Sequence, residues 1–530
     1  MISVVLARGT RLLVLTIGSL FFISGCLTSD SSSEHRNLPD FIENKAQLLI
    51  SDLTEQGYEV QRGYLKLYTI DDCKYSYRVM ENCYGNNPAA PYVLPAVPYW
   101  ENEFRDAATY NAFGPSKDGY GATFRFDRSE AILIFGILPP PAAYFGFQTY
   151  LFSRQGTYNT NSFPYKFLAS TAPFRLPTFF GTIPKNPKRV QIFSSLSNSI
   201  NHVVIERQSG AAFDQERYFI VTPDRNMDAA VRAALGRGAT DNAHVFTEPL
   251  PPTVRTGVHE QADDFMILLR YSMPFDTGRP GTRSDTWRNS PPLAVLRIRD
   301  ANQTRNPAPY PPVVLQNRTA NREDWLKPEM NRLMAEVGHK WGQPCAAADC
   351  SDRSATIQDL QVPPMNLVGP LCTEIGMNCL GDTQDTTYHL GPPLTLDNGE
   401  VYAVVGTLGT RTGNASYTGV SINDSLFKKG IANINDAQLR DTAQEYAGKV
   451  RNADKLYVYY ITRNCSGLEA LTGGHCLSVK ESMIPPCSPE AAAACGYAVV
   501  VQRNYIRPGT QRGPDSTLVL APKNLRLQRP

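Results

Sequence analysis

Apolar residues come mostly in short runs along this chain, some alternating with polar residues and some continuous, and Gly, Pro and Asn bound the runs. Ala131 to Phe135, Phe265 to Leu269 and Val401 to Val405 are examples. Such runs are typical of β-strands joined by turns. The pattern predicts a mainly β protein built of antiparallel sandwiches or jelly rolls, with a few short helices. The 26 tyrosines, 23 phenylalanines and 40 prolines agree with this prediction.

One series of strands occurs twice in the same order. Asp127 to Glu130 precedes one apolar strand, and Asp397 to Glu400 precedes another at identical spacing. Further matches, in chain order, are Thr109-Tyr110 with Thr387-Tyr388, Gly114-Pro115 with Gly391-Pro392, Ala143-Tyr144-Phe145-Gly146 with Ser416-Tyr417-Thr418-Gly419, Tyr218 to Thr222 with Tyr457 to Thr462, Arg270 with Arg503, and Leu296 to Arg299 with Leu525 to Arg529. We therefore predict two related antiparallel β-sandwich or jelly-roll-like modules that arose by internal duplication.

Helical periodicity is confined to a few segments, which are Asp40 to Gln56, Asp224 to Leu235, Asn321 to Val337 and Asn435 to Val450. The proline-rich segment 91–100 is predicted to be an extended crossing segment, because proline cannot donate to a central ladder. The patterns divide the chain into a signal peptide (1–25), a flexible tether (26–37), an N-terminal helix plus strands (38–104), a first β module (105–300), a helical, disulfide-stapled connector (301–384) and a second β module (385–530).

Residues 1–25 follow the pattern of a secretory signal peptide. Arg8 and Arg11 precede an apolar run, Leu12 to Ile23, that is short for a membrane span of about 20 residues. The run ends in Ile23-Ser24-Gly25-Cys26, which resembles the lipobox of bacterial lipoproteins. The resemblance implies cleavage before Cys26, a thioether-linked diacylglycerol on its sulfur and a third acyl chain, such as palmitate, on the new N-terminus.

The same resemblance implies a place in the cell envelope. Two or three acyl chains anchor stably, since each buried CH₂ contributes about 0.8 kcal/mol. In a host with two membranes, Leu27 in place of an aspartate after the lipidated cysteine favours the outer membrane, on its periplasmic face or at the cell surface. The segments Asp127-x-x-Glu130 and Tyr144-Phe145-x-Phe147-Gln148 are similar to uncharacterised β-sandwich domains of bacterial envelope proteins, and this resemblance implies no activity.

Ten cysteines follow the lipobox in close couples, namely Cys73 and Cys83, Cys345 and Cys350, Cys372 and Cys379, Cys465 and Cys476, and Cys487 and Cys495. An even number of cysteines in an exported chain indicates disulfides, and we predict that each couple closes on itself. The alternative is a metal site around Cys465, His475 and Cys476, but the chain has no Cys-x-x-Cys pair. We predict no metal site and no cofactor.

Charge and motifs exclude several functions. The formal net charge is only +2 and no run of Lys/Arg is typical of a patch that binds along a phosphate backbone, which argues against nucleic acid as a partner. Gly-x-Ser-x-Gly, His-Glu-x-x-His, a Walker loop and a dinucleotide-binding glycine motif are absent. The densest titratable cluster is His259, Glu260, Asp263 and Asp264, which is either a hydrolytic site or a polar loop entering a strand.

Aromatic residues provide the remaining candidate site. Tyr99 and Trp100 follow a proline-rich segment and are predicted to form an exposed platform that binds a ligand. Repeated β modules on a lipid tether favour a binding or scaffold role, with a protein, a glycan or a small apolar molecule as the partner, over an enzyme. The alternatives are an envelope hydrolase with a site near His259 and Glu260, and a structural subunit of an outer-membrane assembly.

The lipobox generates a direct test. In Cys26→Ser, no thiol remains for the diacylglycerol, so we expect incorporation of radiolabelled palmitate to stop and the protein to leave the membrane fraction. Cys465→Ser, which removes a cysteine predicted to pair with Cys476, is the control and should remain labelled. Continued labelling of Cys26→Ser would contradict the lipobox assignment.

Overall fold

The computed structural model describes residues 38–171, 173, 176–300, 302, 305–344, 354–356, 358–359, 369–397, 399–485 and 496–530. The predicted signal peptide, the tether with Cys26, and the pairs Cys345 with Cys350 and Cys487 with Cys495 lie outside these residues. Within them the chain is mainly β, as predicted, with several antiparallel sheets and helices of a few turns.

The apolar runs form strands because they bury one or both faces of a sheet. The elements of the first half, which we call the first module, are α1 (Leu38–Glu55), β1 (Glu59–Tyr68), α2 (Cys73–Met80), β2 (Tyr92–Pro98), β3 (Tyr120–Gly121), β4 (Glu130–Ile137), β5 (Ala142–Gln155), α3 (Phe163–Thr171), α4 (Leu176–Phe179), β6 (Thr182–Ile183), β7 (Asn186–Ser195), β8 (Ile200–Asn201), α5 (His202–Ser209), β9 (Glu216–Thr222), α6 (Arg225–Arg237), β10 (Val245–Pro249), β11 (Asp264–Pro274), α7 (Arg283–Asn289) and β12 (Leu293–Arg299).

The elements of the second half, the second module, are α8 (Lys327–Lys340), β13 (Ser354–Thr356), β14 (Gln358–Asp359), α9 (Gly369–Ile375), β15 (Thr386–Leu394), β16 (Glu400–Thr407), α10 (Gly409–Thr412), β17 (Tyr417–Asp424), β18 (Lys429–Asn435), α11 (Asp436–Leu439), β19 (Leu456–Thr462), α12 (Glu469–Thr472), β20 (Cys476–Ser478), β21 (Ala498–Tyr505) and β22 (Lys523–Gln528). Single 3₁₀ turns connect some of these elements.

The first module consists of two stacked sheets that share strand β1. The hydrogen-bonded order is β10-β9-β4-β12-β1-β2-β11-β5-β7-β6, and the path changes sheet within β1. Residues 59–63 of this strand pair with β12, and residues 64–68 pair with β2. The main apolar core fills the space between the sheets, and α1 and α6 cover the outer face of the sheet that contains β4.

The second module repeats this arrangement. Its sheets have the orders β13-β22-β16-β19-β20 and β14-β15-β21-β17-β18. Strands β13 and β14 together take the place of β1, because the first pairs with β22 and the second with β15. Helix α8 takes the place of α1 against the outer face of the first of these sheets. Each module also pairs two strands in parallel within the described residues, β9 with β10 and β19 with β20.

The two modules agree in strand register as well as in strand order. Equivalent cross-strand pairs occupy equivalent positions, namely Glu130 with Arg299 and Glu400 with Gln528, Arg270 with Gly146 and Arg503 with Gly419, and Gly146 with Asn201 and Gly419 with Asn435. Asn201 and Asn435 each cap the helix that follows, α5 and α11. A shift by one residue would reverse every face, so this agreement supports duplication from a common ancestor.

The repeat begins earlier than the sequence indicated. Strands β1 and β2, which the sequence analysis placed in a separate N-terminal piece, are interior strands of the first module. Tyr388 corresponds to Tyr92, because each lies opposite the equivalent arginine of its own module, Arg270 or Arg503. The sequence match of Tyr388 with Tyr110 is therefore wrong. Tyr110 lies in a turn region before β3.

Two predicted elements differ in the structure. The proline-rich segment forms strand β2 between β1 and β11, and Pro95 is tolerated because pairing with β11 covers only Tyr92 and Val93. The predicted helix 435–450 ends at Leu439. Leu439 packs between the sheets of the second module, whereas Ala443 and the residues after it pack on the outer face. One continuous helix cannot reach both cores.

The duplication places the same ion pair in two different environments. Glu130 accepts a hydrogen bond of 2.6 Å from Arg297 Nε, and Glu400 pairs with Arg526 at the equivalent position. Both side chains of the first pair are fully buried, whereas the Arg526 side chain is 56% exposed. Loss of the glutamate leaves Arg297 dry, with Glu103 at 2.7 Å as its remaining carboxylate partner, whereas it leaves Arg526 hydrated.

This difference predicts unequal effects of one substitution. Glu130→Gln should lower the free energy of unfolding by about 3 kcal/mol or more, because it leaves the charge of Arg297 buried with fewer partners. Glu400→Gln should cost about 1 kcal/mol, since water can solvate Arg526. Urea denaturation of both variants measures the two changes. Equal losses would contradict the proposed role of desolvation.

Candidate functional site

The predicted titratable cluster does not converge in the structure. His259 and Glu260 are exposed on the loop before β11, and His259 Nδ1 lies 3.1 Å from Gln261 Oε1. Asp263 and Asp264 are buried, with 0% and 2% of their surface exposed. The imidazole and the two aspartates therefore lie in different environments.

The two aspartates are committed to ion pairs. Asp263 accepts from Arg154 Nη2 at 2.7 Å, and Asp264 pairs with Arg125 Nη1 at 3.0 Å. Such buried carboxylates hold loops and strands together and have no free face for a substrate. The hydrolase hypothesis gains no support from this cluster.

Tyr99 and Trp100 are buried, so the prediction of an exposed platform is wrong. Trp100 is 0% exposed and Tyr99 is 9% exposed. The Trp100 indole donates a 2.9 Å hydrogen bond to Glu130, and the guanidinium of Arg299 lies 4.0 Å from the ring centre. Trp100 packs against the buried Glu130–Arg297 pair, where its N–H supplies a hydrogen-bond donor and its ring excludes water.

Three of the predicted disulfides are formed, and two occupy equivalent places in the modules. The bonds are Cys73–Cys83, Cys372–Cys379 and Cys465–Cys476. The first ties α2 to the segment before β2, and the second ties α9 to the segment before β15. We call residues 82–87 and 378–381 the first and second disulfide loops. Disulfides indicate an oxidising location outside the cytoplasm.

Each disulfide loop binds the opposite module. In the first loop, the amide of Gly85 donates to the carbonyl of Lys428 at 2.5 Å, in the turn between β17 and β18. In the second loop, the amide of Gly381 donates to the carbonyl of Phe193 on β7 at 2.9 Å. Reciprocal contacts of this kind characterise an interface with two-fold symmetry, here formed within one chain.

A cavity of about 320 Å³ lies at this interface. Both disulfide loops line it, together with Tyr92 and Arg270 of the first module and Tyr388 and Arg503 of the second. These four residues are two equivalent pairs, since each arginine lies opposite its tyrosine in register. In each pair the guanidinium carbon lies 5.8 Å from the tyrosine ring centre.

Arg270 has hydrogen-bonding capacity to spare. The side chain is 6% exposed, and it donates to the hydroxyl of Tyr150 and, at 3.4 Å, to the hydroxyl of Tyr388. Its Nε has no hydrogen-bond partner in the described part of the chain. No carboxylate there forms an ion pair with this guanidinium, although a buried cation without one is costly.

Arg503 is placed equivalently. It is 5% exposed, and it donates to the Ser421 hydroxyl and, at 2.8 Å, to the carbonyl of Gly85 in the first disulfide loop. Among the described residues it too has no carboxylate partner. Two guanidinium groups without a carboxylate partner among the described residues therefore line the same cavity.

The other buried arginines among the described residues have a carboxylate partner or more hydrogen bonds, although Arg125 Nη2 and Arg217 Nε, like Arg270 Nε, have no partner there. Arg125, Arg189 and Arg297 each pair with aspartate or glutamate, at 3.0, 3.3 and 2.6 Å respectively. Arg217 and Arg512 lack an ion pair among the described residues, but each donates at least three hydrogen bonds to backbone or amide oxygens. The two cavity arginines differ because hydroxyl groups supply most of their partners.

The cavity is positively charged. Burial raises the pKa of Tyr92 and of Tyr388 above the ordinary value of a phenol, so both remain neutral at physiological pH. Lys428 and Asp424 also line the cavity, and burial lowers the pKa of the lysine and raises that of the aspartate. Three basic side chains thus accompany a single acidic one.

Most of the remaining surface is apolar or aromatic, although Asn82, Asn87 and Asn423 also line the cavity. Phe179 and Phe193 contribute from the first module, and Leu390, Val499 and Val501 from the second. A pocket with apolar walls and a few polar groups at defined positions is the usual form of a small-molecule site. Its chemistry suits an anion with an apolar body.

Sequence reasoning did not identify these residues as a site. The sequence analysis matched Arg270 with Arg503 as part of the duplication, but only as residues at the ends of two strands. The available clue was their repetition, since an arginine conserved between two diverged strands has no obvious role in a sheet. Their convergence depends on how the modules dock, which no local pattern encodes.

The described residues hold neither a candidate metal centre nor a membrane-spanning helix. No group of three or more His, Cys, Asp or Glu side chains there could hold a metal ion. In that part of the chain no helix is long and apolar enough to cross a bilayer.

Known proteins provide no functional assignment for this chain, so the candidate site is the main source of functional information. No protein-family profile matches the chain, and no curated protein matches it. Among solved structures, an uncharacterised protein from Burkholderia cenocepacia is similar over 93% of this chain and 96% of its own, with 10% identity and a TM-score of 0.35.

The disulfide loops generate a prediction about the cavity walls. Replacing Cys73 and Cys83, or Cys372 and Cys379, by alanine should speed hydrogen exchange at the amides of the corresponding loop by about tenfold or more. The physical reason is that each bridge contributes roughly 2–3 kcal/mol, and 1.4 kcal/mol corresponds to tenfold.

The third bridge provides the matched control. Cys465 and Cys476 lie outside the cavity lining, so their double alanine variant should leave exchange at Gly85 and Gly381 unchanged. Mass spectrometry of exchanged peptides measures all three variants. Unchanged exchange at both loops after loss of their own bridges would show that the walls do not depend on the disulfides.

Proposed function

We propose that this protein is a lipid-anchored binding protein of the cell envelope that holds an anionic small molecule with an apolar body. The ligand occupies the cavity between the modules, and the acyl chains on Cys26 hold the protein at a membrane, with the outer membrane as the expected location. Binding, and not catalysis, is the proposed activity.

One observation carries the proposal. Arg270 and Arg503 are buried at the cavity without a carboxylate partner among the described residues, and Arg270 Nε has no partner there at all. An unpaired buried charge destabilises a fold, and an acidic ligand would supply the missing acceptors. Arginine suits this role because its planar fork binds carboxylate or phosphate through two parallel hydrogen bonds.

The apolar lining supports a ligand with more than a charged group. Phe179, Leu390 and Val501 lie on the same cavity as the arginines. Burial of an alkyl or aromatic portion against them contributes about 25 cal/mol per Å² of apolar surface. Polar glycans match such walls poorly, which favours a small amphipathic molecule over the other partners considered from the sequence.

A thermal-shift comparison tests the proposal on the protein starting after Cys26, prepared under oxidising conditions. Decanoate, 1-decanol and decyltrimethylammonium each carry an unbranched chain of ten carbons, counting the carboxyl carbon of decanoate, and differ in charge. We expect decanoate to raise the melting temperature, since ligand at 100 times its dissociation constant stabilises by about 2.7 kcal/mol. The neutral and cationic compounds should have little effect.

Substitution of the arginines locates the effect. Arg270→Met and Arg503→Met should each weaken decanoate binding by about tenfold or more, because each removes a charge-assisted hydrogen bond. Arg322→Met is the control, since that arginine is exposed and pairs with Asp324 at the surface. A decanoate shift of the same size in all three variants would place binding elsewhere and refute the cavity as the site.

A further inference from the structure

We propose that the ligand of the inter-module cavity carries a phosphate monoester, a dianionic group that both arginines bind at once. The inference rests on the proposed function and deepens it, since it names the chemical class of the charged group. The two-fold relation between the modules carries the argument.

The two guanidiniums approach the same side chain. Arg270 Nη1 lies 3.4 Å from the Tyr388 hydroxyl, and Arg503 Cζ lies 5.8 Å from the centre of the Tyr388 ring. Tyr388 thus stands between two arginines that come from equivalent positions of the modules. An acidic group next to this hydroxyl lies within reach of both forks, so a single headgroup can satisfy the two charges.

The number of charges favours a dianion. Arg270 and Arg503 each bring one positive charge that no described carboxylate neutralises by an ion pair. A carboxylate or sulfate ester brings one negative charge, and it would leave one arginine unpaired in a buried site. A phosphate monoester has a second pKa near 6, so it carries close to two negative charges at pH 8, and its three terminal oxygens can accept from both forks.

The cavity also has the size for an apolar portion beside the phosphate. Its volume of about 320 Å³ is at the lower end of small-molecule sites. Short alkyl phosphates are suitable probes, and octyl phosphate and octyl sulfate form a matched pair with the same chain and the same number of oxygen atoms. Inorganic phosphate tests the headgroup alone.

Titration calorimetry at pH 8 on the oxidised protein starting after Cys26 compares these three probes. We expect octyl phosphate to bind at least about tenfold more tightly than octyl sulfate, the factor that one further charge-assisted hydrogen bond provides. In Arg270→Met and in Arg503→Met this preference should fall to near unity, because one remaining arginine cannot use the second charge. Arg322→Met should keep the preference.

The ratio of the two affinities is informative even where a variant is destabilised, since both probes are measured on the same folded fraction. If a methionine variant does not fold, Arg270→Lys and Arg503→Lys keep the charge without the fork and should show an intermediate preference. Equal binding of octyl sulfate and octyl phosphate to the unmodified protein would overturn the dianion and leave the proposed function intact.

The remaining outcomes distinguish failure of the proposed function from failure of the phosphate monoester alone. If neither octyl compound binds and decanoate gives no thermal shift, the proposed function fails together with the inference. Inorganic phosphate that binds as tightly as octyl phosphate would overturn the monoester and the apolar body, because the free dianion alone would then account for the binding. Binding of octyl phosphate alone identifies a phosphate that is attached to an apolar body.

Discussion

The structure depends on the reciprocal packing of two copies of one module. Each copy inserts a disulfide loop against the other, through Gly85 on Lys428 and Gly381 on Phe193. In such an interface every residue near the symmetry axis has an equivalent close by, so a charge placed there occurs twice. Arg270 and Arg503 are that pair, and the cavity between them follows from the duplication and not from an independent event.

The modules have diverged in how they treat buried charge. The first module holds a set of dry ion pairs that includes Arg297 with Glu130, Arg125 with Asp264 and Arg189 with Asp264. In the second module the pair equivalent to the first of these, Arg526 with Glu400, opens to solvent. Strand register is the same at these equivalent positions of the two modules. The burial of the equivalent ion pairs differs, and this difference affects stability. The cavity arginines keep both their geometry and their burial, which is consistent with a role in function.

Several features could be predicted from residue patterns because their causes are local. Period-two and continuous apolar runs indicated strands, and helix α6 followed from a periodic apolar face, although its cap is Asp224 and not Thr222, the residue that the sequence favoured. Close cysteine couples indicated short-range disulfides, three of which lie among the described residues. The repeated Asp-x-x-Glu strand start indicated the duplication. In both copies the glutamate carboxylate accepts from the aspartate amide three residues earlier, which is again a local interaction.

The errors and omissions have a common origin in tertiary structure. Pro95 is tolerated in an interior strand because β11 pairs with β2 only at Tyr92 and Val93. Trp100 is buried because its N–H donates to Glu130, which belongs to an ion pair distant from it in the sequence. The sequence by itself determined the β class, the repeat and three of the five predicted cysteine pairs, since each depends on spacing along the chain. Docking of the modules decided the site, because Arg270 and Arg503 are more than two hundred residues apart and meet only when two equivalent surfaces pack face to face.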